Sequence, residues 1–526
     1  MRVVVSGMAH DGRAIAKMDD KVIFFSGALP QEEVEISLEG KEKKIYLAKV
    51  DSIVKPHPER IQPRCKVFAQ CGGCALQMAS EKLEKTLKEE LLENALRRIG
   101  KIEAEVSPLK TMENPWRYRN KGVFHVSYQG GRAEIGFFAN KSHDLVPARE
   151  CLLFSEKVNA LVAFIEEKFT YFGLAHHIQK LVIRESYHTG EIMVVFVGRE
   201  GKFKGSKVVE AILETFSEVT SIYYNINTNT KLIFGKAFHH LYGKERLEDR
   251  VMGKTFLLSP EAFFQINSRQ TEVLYQTIKC LLPKGTTKIY DLYSGIGSIG
   301  IAISDETIEV IGVEKNHQAV QDAKLNVKQN GLTKARYLQA SAEKWIQKES
   351  LDKTATIIID PPRKGVDKGL LETLVKSNVQ NLIYTSCDPA TLARDLAYLT
   401  KEGYQIKTIQ PVDMFPQTAH VETIVLLSKL DSKKYISVEL PMDDMDLTSA
   451  ESKATYKQIQ NYVLEKFGFK VSTLYIAQVK RKYGLDIREH YNISNNESRK
   501  IPQCPIEKEE AILDALKYFK MIKDGF

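Results

Sequence analysis

The chain has 526 residues, of which 43% are hydrophobic and 27% charged, with a formal net charge of +8. This composition excludes a disordered chain, and the length predicts about two to four folded domains. No apolar run reaches membrane-spanning length, and MRVVVSGMAHDG breaks into glycine and charge too early for a signal peptide, so a cytoplasmic protein is expected. The modest positive excess permits an anionic partner such as nucleic acid without requiring one.

Residues 1–57 alternate apolar and polar positions. Segments 3–5, 22–25, 34–37 and 46–50 read as strands, with turn signals at His10-Asp11-Gly12, Asp19-Asp20 and Glu39-Gly40-Lys41. Short strands at this spacing predict a small β-barrel. Pro56, Pro58 and Pro63 mark a linker. The loop CKVFAQCGGC (65–74) follows and holds three of the seven cysteines. Thiols this dense mean disulfides, a metal site or redox chemistry, and a cytoplasmic setting favours the last two.

Ser80 opens a helical pattern in which Leu83, Leu87, Leu91, Leu92, Leu96 and Ile99 recur at helix spacing until Gly100. Residues up to 250 mix strands, such as 192–197 and 221–226, with short helices, which reads as an α+β domain. From about residue 255, apolar strands at 288–292, 309–313, 356–359 and 382–385 alternate with helices. That alternation predicts a parallel sheet with helices on both faces. Residues 431–526 open on an acidic stretch at Asp443-Asp444. A helix follows with Tyr456, Ile459, Val463 and Phe467 on one face, then a second capped by Ser472 and running to Gly484. Such a pair resembles a helix-turn-helix, although similar pairs occur in domains that bind nothing.

DLYSGIGSIG (291–300) follows a strand and opens a helix, and its glycines let a backbone approach a ligand. The next strand ends in Glu314, suited to a ribose diol, and a later one ends in Asp360 of DPPRKG. Gly295, Gly297 and Gly300 fit the dinucleotide spacing, so the glycines alone leave NAD and S-adenosylmethionine both open. Asp291 leans towards the second, because a carboxylate repels a pyrophosphate and attracts a sulfonium. Cys387, in TSCDPATLARD (385–395), sits between a strand and a helix. A thiol at a helix start is expected to be pushed towards thiolate and to serve as a nucleophile. Cys280 falls in an apolar helix pattern and is expected in the core.

These segments, with FFQIN (263–267) and HVET (420–423), resemble the uracil-5 RNA methyltransferase family over roughly residues 1–430. Within it, CKVFAQCGGCALQ resembles the iron–sulfur members that make 5-methyluridine in 23S ribosomal RNA. The resemblance implies a TRAM-like OB barrel (1–57), an iron–sulfur loop with an α+β middle domain (58–250) and an α/β Rossmann-like methyltransferase domain (251–430); beyond it, the residue pattern predicts a small helical C-terminal extension (431–526) of unknown role. It implies that Cys387 adds to C6 of uracil, that C5 then takes the methyl group, and that Glu422 removes the C5 proton. Gln265, Tyr293, Ser298, Glu314, Ser341 and Asp360 match positions expected to hold S-adenosyl-L-methionine. Ser298 and Ser341 depart from the family pattern, and Ser341 stands where relatives usually carry Asp or Asn. Phe263 is suited either to stacking on uracil or to a core.

Cys65, Cys71 and Cys74 need a fourth ligand, and the resemblance implies Cys151. Four thiolates suit zinc or a 4Fe-4S cluster equally, and the resemblance favours the cluster, in a structural or RNA-positioning role. WRYRNKG (116–122) mixes cations and aromatics in a way that suits RNA. The expected partner is large-subunit ribosomal RNA, with no membrane, and the expected state is a monomer. The alternatives are the same chemistry on transfer RNA, an amino-group methyltransferase suggested by Asp-Pro-Pro, and a non-catalytic RNA-binding assembly factor.

Overall fold

A computed structural model describes residues 1–429 apart from 19–20, 141, 148, 175 and 200, together with 456–483, 504–519 and 521–522. The Asp19-Asp20 turn, the Asp443-Asp444 stretch and Gly484 lie outside the described residues. Residues 1–434 form one compact unit and 435–526 another.

The chain opens with five strands, Arg2–Met8, Ala14–Met18, Lys21–Phe25, Glu33–Glu42 and Ile45–Lys55, which close into a barrel around Val3, Val5, Ile23, Phe25, Val34 and Ile36. The strand Ala14–Met18 escapes the sequence reading because its inward residues are small alanines. The helix Glu81–Ala95 begins as expected, with the Ser80 hydroxyl accepting from the Leu83 N–H at 3.1 Å. Its end differs. Leu96–Gly100 is a π-turn, and the extra residue per turn rotates Ile99 out of the apolar stripe to 50% exposure while Leu96 stays buried.

A seven-stranded sheet follows, in the order Ala237–Gly243, Val219–Ile226, Ile192–Gly198, Ile178–Glu185, Lys121–Gln129, Arg132–Phe138 and Leu145–Pro147. One face packs on Glu156–Phe172 and Ser206–Thr215. The other contributes Val182, Met193, Val195 and Val197 to a core shared with the next sheet. That sheet runs Ala335–Gln339, Glu309–Glu314, Lys288–Leu292, Thr356–Ile359, Asn381–Ser386, Glu422–Lys429, Tyr404–Val412. Six strands run the same way, and only Glu422–Lys429, between Asn381–Ser386 and Tyr404–Val412, runs against them. Separate apolar cores cover its two faces, as the alternation of strands and helices predicts.

The unit 435–526 contains three described helices rather than the expected pair: Tyr456–Phe467, Thr473–Lys482 and Ile506–Tyr518. They share a core of Ile459, Val463, Ile476, Val479, Ile512 and Leu516. The third helix makes this a small bundle with its own apolar centre.

Lys88 ties the first unit together. Its ammonium is fully buried and donates to Glu84 and Asp413, both at 2.7 Å, and to the Phe415 carbonyl at 3.2 Å. Burial alone would lower its pKa, but the two carboxylates outweigh that and raise it. Removing one member of a buried ion cluster strands the others without a partner. Lys88→Met is therefore expected to cost about 3–5 kcal/mol in urea denaturation, and adding Glu84→Gln and Asp413→Asn should recover part of it. A loss below about 1 kcal/mol would contradict this role.

Candidate active site at the carboxyl ends of the strands

A cavity of about 610 Å³ lies along the carboxyl ends of the parallel strands, where open α/β sheets bind ligands. Cys387, Glu422, Gln265, Tyr293, Glu314, Ser341 and Asp360 all line it. Ser298 does not appear among the lining residues; its hydroxyl accepts instead from Tyr275 at 2.8 Å. Asp291 also lies behind the wall, accepting from the Gly300 N–H at 3.1 Å. Of the glycines, Gly295 lines the cavity. Gly297 is needed for another reason: its φ is +80°, and a Cβ there would meet the Tyr337 ring at 2.7 Å.

The nucleotide-like end is a hydrogen-bonded cluster. Glu314 accepts from the Gly295 N–H at 3.2 Å and the Asn316 N–H at 2.7 Å. The Tyr293 and Ser341 hydroxyls both donate to Glu343 at 2.7 Å. Burial raises Glu343, but these two donors outweigh it and hold the carboxyl below the usual range. Glu343 was not legible as a site residue. Only its position two residues after Ser341, on the first turn of Ala342–Ile346, could have drawn attention to it.

At the reactive end, Cys387 follows the strand Asn381–Ser386 and precedes the helix Pro389–Lys401. The expected shift towards thiolate is overturned. Burial, then the charges of Glu422 and Asp360, push this thiol up to about 12. The helix start cannot offset this, because the Asp388 side chain already accepts from the Ala390 and Thr391 amides at 2.9 Å. Burial likewise pushes Asp360 up to about 7, and burial with the Asp360 charge raises Glu422 well above its ordinary value. Phe263, 67% exposed, also lines the cavity, so it is a free aromatic face and not a core residue.

Cys65, Cys71, Cys74 and Cys151 line a second cavity, of about 350 Å³, whose wall also includes Phe263. Burial, with the other three cysteines adding, pushes Cys74 up to about 12. Among the described residues no three His, Cys, Asp or Glu side chains are gathered as a single metal ion requires. The four thiols share one cavity wall, but they are not gathered as a metal site requires, so the expected iron–sulfur site draws no support from this geometry.

Two other expectations change. WRYRNKG is built into the interior: Arg117 donates to the Cys151 and Phe154 carbonyls, the buried Tyr118 hydroxyl donates to Pro416, and Asn120 is buried. It is largely a brace, although Trp116, Arg117, Arg119 and Lys121 are only half-buried. Cys280 is exposed, because Thr271, Leu274, Tyr275 and Ile278 form the buried side of its helix. Among the described residues no helix is long and apolar enough to cross a membrane.

Asp291 gives a stability test. Burial raises its pKa from 3.8 to about 7, so its contribution is fully present below pH 4 and is lost as pH rises through 7. Asp291→Asn should therefore raise the melting temperature at pH 8, by the equivalent of up to about 4 kcal/mol, with the gain vanishing near pH 4. An equal effect at both pH values would refute it.

Comparison with known proteins agrees with this geometry. The family described as tRNA (Uracil-5-)-methyltransferase matches residues 227–430, and the TRAM domain matches residues 1–45. An uncharacterized RNA methyltransferase of Clostridium tetani is 35% identical over 443 residues, covering 82% of this chain and 96% of the relative. One from Listeria innocua is 37% identical over 446 residues, covering 81% and 97%. The crystal structure of Pyrococcus abyssi tRNA (uracil-54, C5)-methyltransferase, in complex with S-adenosyl-L-homocysteine, superposes with a TM-score of 0.66 at 26% identity, covering 81% of this chain and all of that one. With its barrel, its two-sided α/β sheet and this match across four fifths of its length, the chain belongs to the TRAM-bearing uracil-5 RNA methyltransferase family.

Proposed function

We propose that the protein methylates C5 of a uridine in 23S ribosomal RNA, using S-adenosyl-L-methionine. The observation that carries this is that Cys387 and Glu422, from the ends of two neighbouring strands, line one cavity with Phe263 and Asp360. Uracil C5 is too weak a nucleophile unless a group first adds to C6. Cys387 supplies that group, its sulfur bonding to C6 as its proton leaves for a nearby carboxylate. When bound, S-adenosylmethionine supplies the methyl group and a positive charge. Gln265, Tyr293, Glu314, Ser341 and Asp360 would hold it, and Glu343 would add a carboxylate beside Ser341. Glu422 takes the C5 proton, and the sulfur–C6 bond then breaks to restore the ring. Burial and the Asp360 charge raise the pKa of Glu422, which makes it a strong base for that step once it is ionised. Phe263 stacks on the extruded base.

Cys65, Cys71, Cys74 and Cys151 are assigned to a 4Fe-4S cluster. Protein purified without air should carry iron and sulfide, whereas zinc alone would overturn that assignment. The cysteine loop supports the ribosomal RNA reading. The Pyrococcus abyssi relative, named for transfer RNA, supports the rival substrate.

Incubation with S-adenosylmethionine and 5-fluorouridine-substituted RNA discriminates the readings. A stable covalent adduct should form with 23S ribosomal RNA and be lost in Cys387→Ala. An adduct with transfer RNA alone would replace the substrate, and one surviving Cys387→Ala would refute the chemistry. Glu422→Gln should trap a methylated covalent complex with ordinary uridine RNA, detected as a shifted band on a denaturing gel. Turnover above about one hundredth of the unmodified enzyme would argue against Glu422 as the base.

A further inference from the structure

A third cavity, of about 360 Å³, shares Cys387 and Arg363 with the reactive cavity and is otherwise lined by different residues. Three separate parts of the chain build it. The barrel contributes His10, the helix Glu81–Ala95 with its π-turn contributes Asn94, Arg98 and Ile99, and the catalytic sheet contributes Arg363 and His420. The geometry points to this cavity as the seat of the nucleotide adjacent to the target uridine in the RNA chain. This rests on the reading of the protein as an enzyme that draws a uridine out of RNA.

The walls have the chemistry of a nucleotide site. Ile99 is half exposed and joins Ala95 and Ala419 in an apolar surface for a base. Arg98 is exposed and makes no hydrogen bond or ion pair among the described residues, so its guanidinium is free for a phosphate. Arg363 lies 3.4 Å from the His420 ring nitrogen. Burial and the Arg363 charge keep His420 neutral near pH 7, so it offers an aromatic face and a hydrogen bond. Asp388 also lines the cavity, but its carboxylate is occupied in capping the helix Pro389–Lys401.

Two features fix the cavity's shape. The π-turn displays Arg98 and Ile99, which a continued α-helix would turn elsewhere. The barrel turn that carries His10 is clamped by Gly12, where φ is +83° and a Cβ would meet Ala75 at 2.5 Å and Ala419 at 3.2 Å. A uridine drawn out of its stack into the reactive cavity carries its neighbours to the rim at Cys387, where this second cavity opens.

The test uses the full-length protein and fluorescein-labelled oligouridine RNA in an anisotropy titration at fixed ionic strength. Arg98→Glu should weaken binding at least fivefold. Lys101→Glu makes the same charge change three residues on, outside the cavity, and should change binding less than twofold. In parallel, oligouridine carrying 4-thiouridine is irradiated on the unmodified protein, and the cross-link should map to residues 94–99. Equal weakening by both variants, or no cross-link in that segment, would overturn the proposal. Neither measurement uses methyl transfer: a protein that forms no 5-fluorouridine adduct yet passes both keeps the site and loses the reaction.

Discussion

The Lys88 ammonium, locked between Glu84, Asp413 and the Phe415 carbonyl, is the constraint on which the catalytic end of this molecule depends. It joins the helix after the cysteine loop to the segment that leads into Glu422. Glu84 accepts from the Gln417 N–H at 2.7 Å, and the Gln417 carbonyl accepts from the Ala75 and Leu76 amides at 3.0 Å. The cysteine loop, the helix and the Glu422 approach are therefore one hydrogen-bonded object. A charge buried this deeply stabilises little on balance. Its value is geometric, because its partners tolerate only one arrangement.

This linkage couples the cysteine loop to the segment that leads into Glu422. The loop touches the catalytic segment through backbone hydrogen bonds at Gln417, and its cavity shares Phe263 with the reactive cavity. Distortion of the same loop would reach Glu422 through Ala75 and Leu76.

What the sequence disclosed follows from local physics. Strand ends bearing Glu314, Asp360 and Cys387 were legible because buried parallel strands are continuous apolar runs with abrupt polar ends. Ser80 and Ser472 were legible as caps because a hydroxyl before a periodic run has one obvious use. The misses arise where tertiary contacts decide. The π-turn at Leu96–Gly100 is invisible to a period of 3.6, so Ile99 was placed inside when it faces out. WRYRNKG carries the composition of an RNA surface, yet Arg117 and Tyr118 spend their donors on carbonyls 34 and 298 residues away. The Ala14–Met18 strand has inward residues too small to stand out.

The thiol of Cys387 is the most instructive reversal, because the local rule was sound and the surroundings defeated it. A helix start favours thiolate, but here the capping aspartate takes the amides and two carboxylates share the pocket. Asp360, Glu422 and Cys387 cannot all be ionised together in so buried a space, and each raises the cost of charging another. A cation seated beside Asp360 reverses the balance, since it favours the ionised carboxylate and screens the thiolate. If Cys387 and Glu422 act as proposed, the same crowding ties activation of the thiol to the arrival of the methyl donor and strengthens Glu422 as a base once it is ionised. On the proposed mechanism, protection of the thiol and timing of the chemistry come from one arrangement of three acidic groups.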